Sequence, residues 1–215
     1  MRQPERLRGF GPPGLLAIAV ILAGSVVGPP VSALLVLAWM QLSETPPATL
    51  GFSAPRSWTA TIVVGVAFGI SFKLIMKALV MPLLGAPPLN ATYHYLAGNA
   101  AALPAVIVTL LIGAGFGEEV FFRGYLFERL GKLLGSGLTP RIATVVLTAG
   151  LFAAAHYQDQ GLPGVEQAVV TGLVFGGIFA WRRQLWFVMV AHAAFDLAAV
   201  ALIYWDLEAR VAHLF

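Results

Sequence analysis

Apolar stretches too long for a soluble core decide what this chain can fold into. Residues 184–205 carry one formal charge, Asp196, and residues 58–84 carry only Lys73 and Lys77. About 20 mostly apolar residues are enough for a helix to cross a bilayer. Charged residues make up 11% of the chain, against roughly 25% in a soluble domain. The chain therefore cannot coat itself with polar surface, and it reads as an integral membrane protein. In lipid, backbone polar groups must be satisfied within the protein, which favours helices. Apolar segments lie at about 14–42, 58–84, 100–117, 142–157, 164–181 and 184–205. They predict an all-α, polytopic transmembrane bundle of about six to eight membrane helices around a central polar cavity, as one domain over residues 1–215.

The first segment is interrupted by Gly28-Pro29-Pro30, which predicts either a kinked span or a tight hairpin. Arg2, Arg6 and Arg8 followed by an apolar run, with Val31-Ser32-Ala33 beyond, outline a signal peptide. The apolar run resumes at Ala33, which favours an uncleaved membrane segment. Lys and Arg fall in alternate loops, at Arg56, at Arg129, Lys132 and Arg141, and at Arg182 and Arg183, while 85–98 and 158–165 have neither. Positive-inside bias then puts Arg56, Lys132 and Arg182 in the cytoplasm, in the cytoplasmic membrane if the host is bacterial. A hairpin would bring the N-terminal arginines to the same side. The net charge of +3 is read as this loop bias and not as nucleic-acid affinity. There is no cysteine, so disulfides, thiolate metal sites and a cysteine nucleophile are excluded. Gly65/Gly69, Gly113/Gly117 and Gly172/Gly176 have the spacing that lets membrane helices approach closely. Lys73 and Lys77 share a helix face; they are expected to snorkel toward an interface, with the lining of a polar cavity as the alternative.

Ionisable groups within spans cost roughly 2.5–3.5 kcal/mol each for Asp, Lys or Arg at a helix centre, and they usually face a polar cavity. Glu118 and Glu119 stand together in GEEVFFRGYLFERL, with Arg123 four residues after Glu119. Positions i and i+4 share a helix face, so Glu119 and Arg123 can pair. Glu118 points about 100° away and is left for chemistry. His156 ends the apolar LFAAAH. His192 and Asp196 in HAAFD are again at i and i+4, so that both can converge on one ion or water, or Asp196 can orient His192. Three apolar segments thus each bring an ionisable group suited to water activation, which predicts one shared site.

No G-x-S-x-G and no H-E-x-x-H occurs, which argues against a serine hydrolase and the usual zincin helix. Glutamate, two histidines and an aspartate can hold a divalent metal and its water. They can equally act without metal, with Glu118 as base and the histidines stabilising an oxyanion. Both chemistries are open on the residues alone. So is a different class of function, a non-catalytic immunity or scaffold protein or a small transporter, since such proteins also carry intramembrane charges.

In order along the chain, EEVFFR has the form EExxxR, LFAAAH the form FxxxH and HAAFD the form HxxxN/D. Together they resemble the CPBP family of intramembrane proteases, which includes the CAAX prenyl endopeptidases of the Rce type and bacterial Abi or bacteriocin-processing relatives. The resemblance covers about residues 100–205. It implies an intramembrane endopeptidase, a metalloprotease or a glutamate protease. Its substrate would be a membrane-associated or lipidated peptide or protein, prenylated in the CAAX case, drawn from the lipid around it. Carried over by position, Glu118 is the general base, Glu119 and Arg123 organise the motif helix, and His156 and His192 bind the water, metal or oxyanion. The last motif residue, commonly Asn, is Asp196 here, and its charge favours a metal such as Zn2+ held by Glu118, His156, His192 and Asp196. At 1.5 Å per residue His156 lies about 20 Å in from Arg141. With an apolar segment that ends at 117, the site closes only if the helices tilt or Glu118 sits deeper.

Overall fold

A computed structural model describes residues 2–214, and every regular element among them is helical. After a short α1 (Gln3–Arg8) come α2 (Pro12–Val27) and α3 (Pro29–Leu42). Five helices are long and apolar enough to cross a membrane: α4 (Trp58–Leu83), α5 (Leu103–Leu134), α6 (Leu138–Ala155), α7 (Tyr157–Arg182) and α8 (Leu185–Tyr204). A short α9 (Glu208–Ala212) follows. Large apolar side chains along α4, among them Val63, Ile70 and Leu74, are exposed. A soluble protein rarely leaves so continuous an apolar face bare; in a bilayer it meets lipid.

Residues 12–42 form a hairpin rather than a kinked span. Gly28 has φ +154, a conformation that glycine adopts freely, and Pro29 and Pro30 then start α3 in the first-turn positions proline tolerates. The return is tight enough that Trp39 Nε1, near the end of α3, donates to Leu7 O at 3.1 Å. The N-terminal arginines therefore do join the other basic loops. Arg8 O accepts from Arg129 Nη1 and Lys132 Nζ, each at 3.1 Å. On the same side Arg183 Nη2 donates to Thr49 O at 3.0 Å. The opposite side is knit by Asn90 N to Glu208 Oε1 at 3.1 Å and Thr92 Oγ1 to Asp159 O at 3.0 Å.

The core is aromatic. Phe121, Phe122, Phe152, Phe175, Phe179, Phe187 and Phe195 are all buried in one cluster with Trp39 and Tyr125. α4 packs along α8, and α5 packs against both α8 and α3. Glycine permits two of these contacts. A Cβ at Gly69 would collide with Ala191 O, and one at Gly117 would lie 2.8 Å from the Pro29 backbone. Gly65 and Gly172 also meet neighbours closely, whereas Gly113 has open space and is not a packing glycine.

Two helices depart from α geometry where they carry charge. Leu110–Leu126 within α5 and Met76–Val80 within α4 are wound as π-helix, with i to i+5 hydrogen bonds. The first holds Glu118, Glu119 and Arg123; the second holds Lys77. Helix α5 does not end near 117 as its apolarity suggests. It continues to Leu134, because Glu119 and Arg123, just past the apolar run, are buried and paired with each other inside the bundle. Glu118 consequently lies midway along the helix, which removes the depth mismatch with His156. Helix α7 is bent at Gly161, φ +61, just before Pro163.

Candidate active site

Glu119 is the buried hub of the polar residues. Its Oε1 accepts from Arg123 Nη1 at 2.8 Å and lies 2.7 Å from His192 Nδ1. Side-chain exposure is 0% for Glu119 and 1% for Arg123, so the pair is sealed from both water and lipid. An ionised pair survives such burial only with good geometry and further hydrogen bonds. His192 supplies one, and in doing so ties α8 to α5. The Arg123 guanidinium also lies over the Phe152 ring, 4.5 Å from its centroid, which adds cation–π attraction.

With Nδ1 committed to Glu119, His192 turns Nε2 toward Asp196 Oδ2 at 3.5 Å and Glu118 Oε2 at 3.9 Å. The carboxylate that orients His192 is thus Glu119, and Asp196 stands on the other side of the ring. His156 Nδ1 lies 2.8 Å from Phe152 O. A carbonyl only accepts, so Nδ1 carries the proton and Nε2 is the free nitrogen. The Phe152 ring lies 4.5 Å from the His156 ring, tilted against it at 57°. One aromatic residue thereby separates His156 from Arg123 while its carbonyl sets the imidazole tautomer.

Glu118 differs from its neighbour. Oε2 of both is buried without a hydrogen-bond partner, but Glu119 spends Oε1 on Arg123 and His192, whereas Glu118, among the described residues, makes no hydrogen bond at all. Glu118, His156, His192 and Asp196 all line one cavity of about 440 Å³, within the size range of ligand sites. Glu118 and His156 also line a second cavity, bounded by Ser25, Pro29 and Ser32 of the N-terminal hairpin. The unpartnered carboxylate stands where the two cavities meet.

All six residues singled out by sequence come together here, on α5, the end of α6 and α8. Among the described residues no three of His, Asp and Glu converge as ligands for one ion. His192 spends Nδ1 on Glu119, so Nε2 is its one nitrogen left to hold an ion.

Sequence reasoning misplaced two lysines and missed a tyrosine. Lys73 and Lys77 do not snorkel. Both are buried, Lys73 donating to Gln167 Oε1 at 2.8 Å and Lys77 to Glu208 Oε1 at 3.0 Å. Their partners lie 94 and 131 residues away in sequence, a separation that helical periodicity does not register. Tyr93, from the loop after α4, lines both cavities beside Glu118. Burial, aided by the negative charges of Asp159 and Asp196, raises its pKa above the usual phenol value and keeps it protonated.

Residues 100–198 match the family model described as type II CAAX prenyl endopeptidase, Rce1-like. The matched stretch contains Glu118, Glu119, Arg123, His156, His192 and Asp196. No curated protein and no solved structure shows significant similarity to the chain.

Proposed function

We propose that this chain, a CPBP-type intramembrane protease by its Rce1-like match over residues 100–198, hydrolyses a peptide bond of a membrane-associated or lipidated peptide with water activated by Glu118. The observation that carries the reading is the unpartnered Glu118 carboxylate at the meeting of two cavities, with two imidazoles beside it. In this reading the water is activated by the Glu118 carboxylate.

Each side chain then has one task. His156 Nε2 accepts a hydrogen bond from the water and holds it. Glu118 takes a proton as the water oxygen bonds to the peptide carbonyl carbon. His192 in its protonated form donates Nδ1–H to Glu119 and Nε2–H into the cavity, where it faces the developing oxyanion. Glu118 returns its proton to the leaving nitrogen, the C–N bond breaks, and one water has been consumed to give a carboxyl and an amine end. Glu119 and Arg123 touch no reacting atom; they fix the ring that does. Prenylated CAAX peptides are one substrate candidate, and the arginine-rich side of the bundle faces the cytoplasm.

The test compares peptide termini by mass spectrometry in membranes from cells expressing wild type or Glu118→Gln. New termini made by wild type and absent from Glu118→Gln are expected. Cleavage by Glu118→Gln at the wild-type rate would remove the base from the mechanism.

A further inference from the structure

Away from the reacting groups, on the arginine-rich face, the start of α4, the end of α7 and the start of α8 enclose a cavity of about 570 Å³. Its polar lining is Arg56, Ser57, Thr61, Arg182 and Gln184, and among the described residues no aspartate or glutamate lines it. Two guanidinium groups, one from just before α4 and one from the last residue of α7, therefore share a cavity with no counter-charge in its wall.

Neither arginine is spent elsewhere. Arg129 and Lys132, on the same face, pair with Glu128, and Arg183 donates to Thr49 O. Arg56 and Arg182 belong to no ion pair and make no side-chain hydrogen bond among the described residues. The Arg182 guanidinium lies over the Phe187 ring, 4.6 Å from its centroid, a contact that uses no N–H donor. Thr61 points to a ligand independently. Thr144, Thr148 and Thr171, in other helices of the bundle, each turn the hydroxyl back onto the carbonyl four residues earlier, as helical threonines do. Thr61 is only 8% exposed, yet its hydroxyl makes no hydrogen bond among the described residues. It is not sealed in the core either, so it is free to donate into the cavity that Thr61 lines. A buried hydroxyl is costly to leave unpaired.

The apolar wall selects the ligand. Deeper than the polar groups lie Ala60, Val64 and Phe187, and Val64 passes with Val63 into the exposed apolar side of α4. Trp181, 88% exposed, stands at the rim, and Trp58, next to Ser57, is exposed as well. Tryptophans so placed mark the level of the lipid headgroups. The cavity is thus cationic at headgroup depth and apolar toward the bilayer. A free phosphate uses only the first property; a phospholipid uses both. Basic pockets between membrane helices on the cytoplasmic side suit such headgroups. We infer that this cavity is a binding site for an anionic phospholipid, whose phosphate bridges Arg56 and Arg182 and accepts from Thr61 Oγ1 while its chains follow α4. The bound lipid joins the ends of three helices and takes no part in hydrolysis, so the inference stands apart from the protease reading.

The purified protein in detergent is titrated with dioleoyl-phosphatidylglycerol or with dioleoyl-phosphatidylcholine, and bound lipids are counted by native mass spectrometry. The two lipids share their chains and their phosphodiester, and only the first has a net negative charge. Phosphatidylglycerol is expected to fill one site at least about tenfold more tightly than phosphatidylcholine. Arg56→Gln and Arg182→Gln are each expected to weaken that site about fivefold, the weight of one basic side chain at a charged membrane surface. Thr61→Val is expected to weaken it about fivefold as well, as the loss of one hydrogen bond does. Arg141→Gln, which removes an exposed arginine of the same face from a different cavity, is expected to leave it unchanged. Arg56 and Arg182 are exposed, so their variants fold, and the unfolding midpoint in lipid-free detergent verifies it; should Thr61→Val fail that check, Thr61→Ala reads the same loss. Equal affinity for the two lipids, or equal losses at Arg141→Gln and Arg182→Gln, reduces the effect to general surface charge and overturns the site. So does a preference that survives the loss of the Thr61 hydroxyl. Displacement of the lipid by glycerol phosphate, which has the charge without the chains, would make this a free-phosphate site and overturn the lipid assignment.

Discussion

At Glu119 a single carboxylate oxygen serves Arg123 on its own helix and His192 on another, at 2.8 and 2.7 Å. Removing one member of a buried pair leaves the other charge uncompensated, at about 3–5 kcal/mol. Arg123→Ala is therefore expected to destabilise the bundle by about that much, measured by denaturant unfolding in detergent. Glu118 makes no hydrogen bond that its loss would break. Glu118→Gln is accordingly expected to leave stability within about 1 kcal/mol of wild type while cleavage falls by about 10²–10⁴-fold, the usual weight of a general base. Unfolding curves and cleavage rates on the same preparations separate the two glutamates. In the carboxylate mechanism proposed for Glu118, dialysis against a strong chelator is expected to leave cleavage unchanged; loss of activity that added zinc restores would require a metal in the site. The division between Glu118 and Glu119 was legible in the sequence, because Arg123 can face only one of them. The partner of His192 was not. Asp196 is near in sequence, but Glu119, 73 residues away, takes the ring nitrogen.

Helices here are placed by what they bury, and hydropathy sees only part of that. The apolar run that suggests an end near 117 stops at Glu118-Glu119, yet α5 continues to Leu134 because those carboxylates lie inside the bundle and not in a loop. The burial of Glu119 needs His192 from α8, which a window along one helix cannot show. The small-residue spacings were legible as packing, but unequally. Gly69 lies directly against the α8 backbone, one turn from Lys73 and opposite the helix that carries His192. Gly69→Ala must push α4 and α8 apart and is expected to cost about 1–3 kcal/mol, as overpacking does. Gly113, where an added Cβ would meet nothing within 4 Å, is expected to accept alanine with no loss, or with a gain of up to about 1 kcal/mol from reduced chain entropy. Opposite signs for two glycines of similar spacing, read by unfolding in detergent, would separate contact from composition.

Charge sorts the whole molecule into two faces. Arg8, Arg129, Lys132 and Arg183 gather on one, where carbonyls of the N-terminal segment and the loop at Thr49 receive them. The other face, from Asn90 through Asp159 to Glu208, is joined by hydrogen bonds to carboxylates and carbonyls. Loop charges alone announced this alternation, but whether the N-terminus joins the basic face turned on Gly28, where a hairpin and a kink are written with the same residues. The hairpin sets α3 against α5, and its turn at Pro29 walls the second cavity that reaches Glu118. A chain without cysteine lets this be tested one residue at a time. Single cysteines at Gln3, Ser136 and Ala100, all exposed, are labelled in intact cells with a membrane-impermeant maleimide. Gln3→Cys and Ser136→Cys are expected to behave alike and stay unlabelled until the cells are opened, since positive loops remain in the cytoplasm. Ala100→Cys is expected to label at once. If Gln3→Cys labels with Ala100→Cys instead, residues 12–42 cross the bilayer once, Pro29 no longer turns beside Glu118, and the second cavity loses its wall.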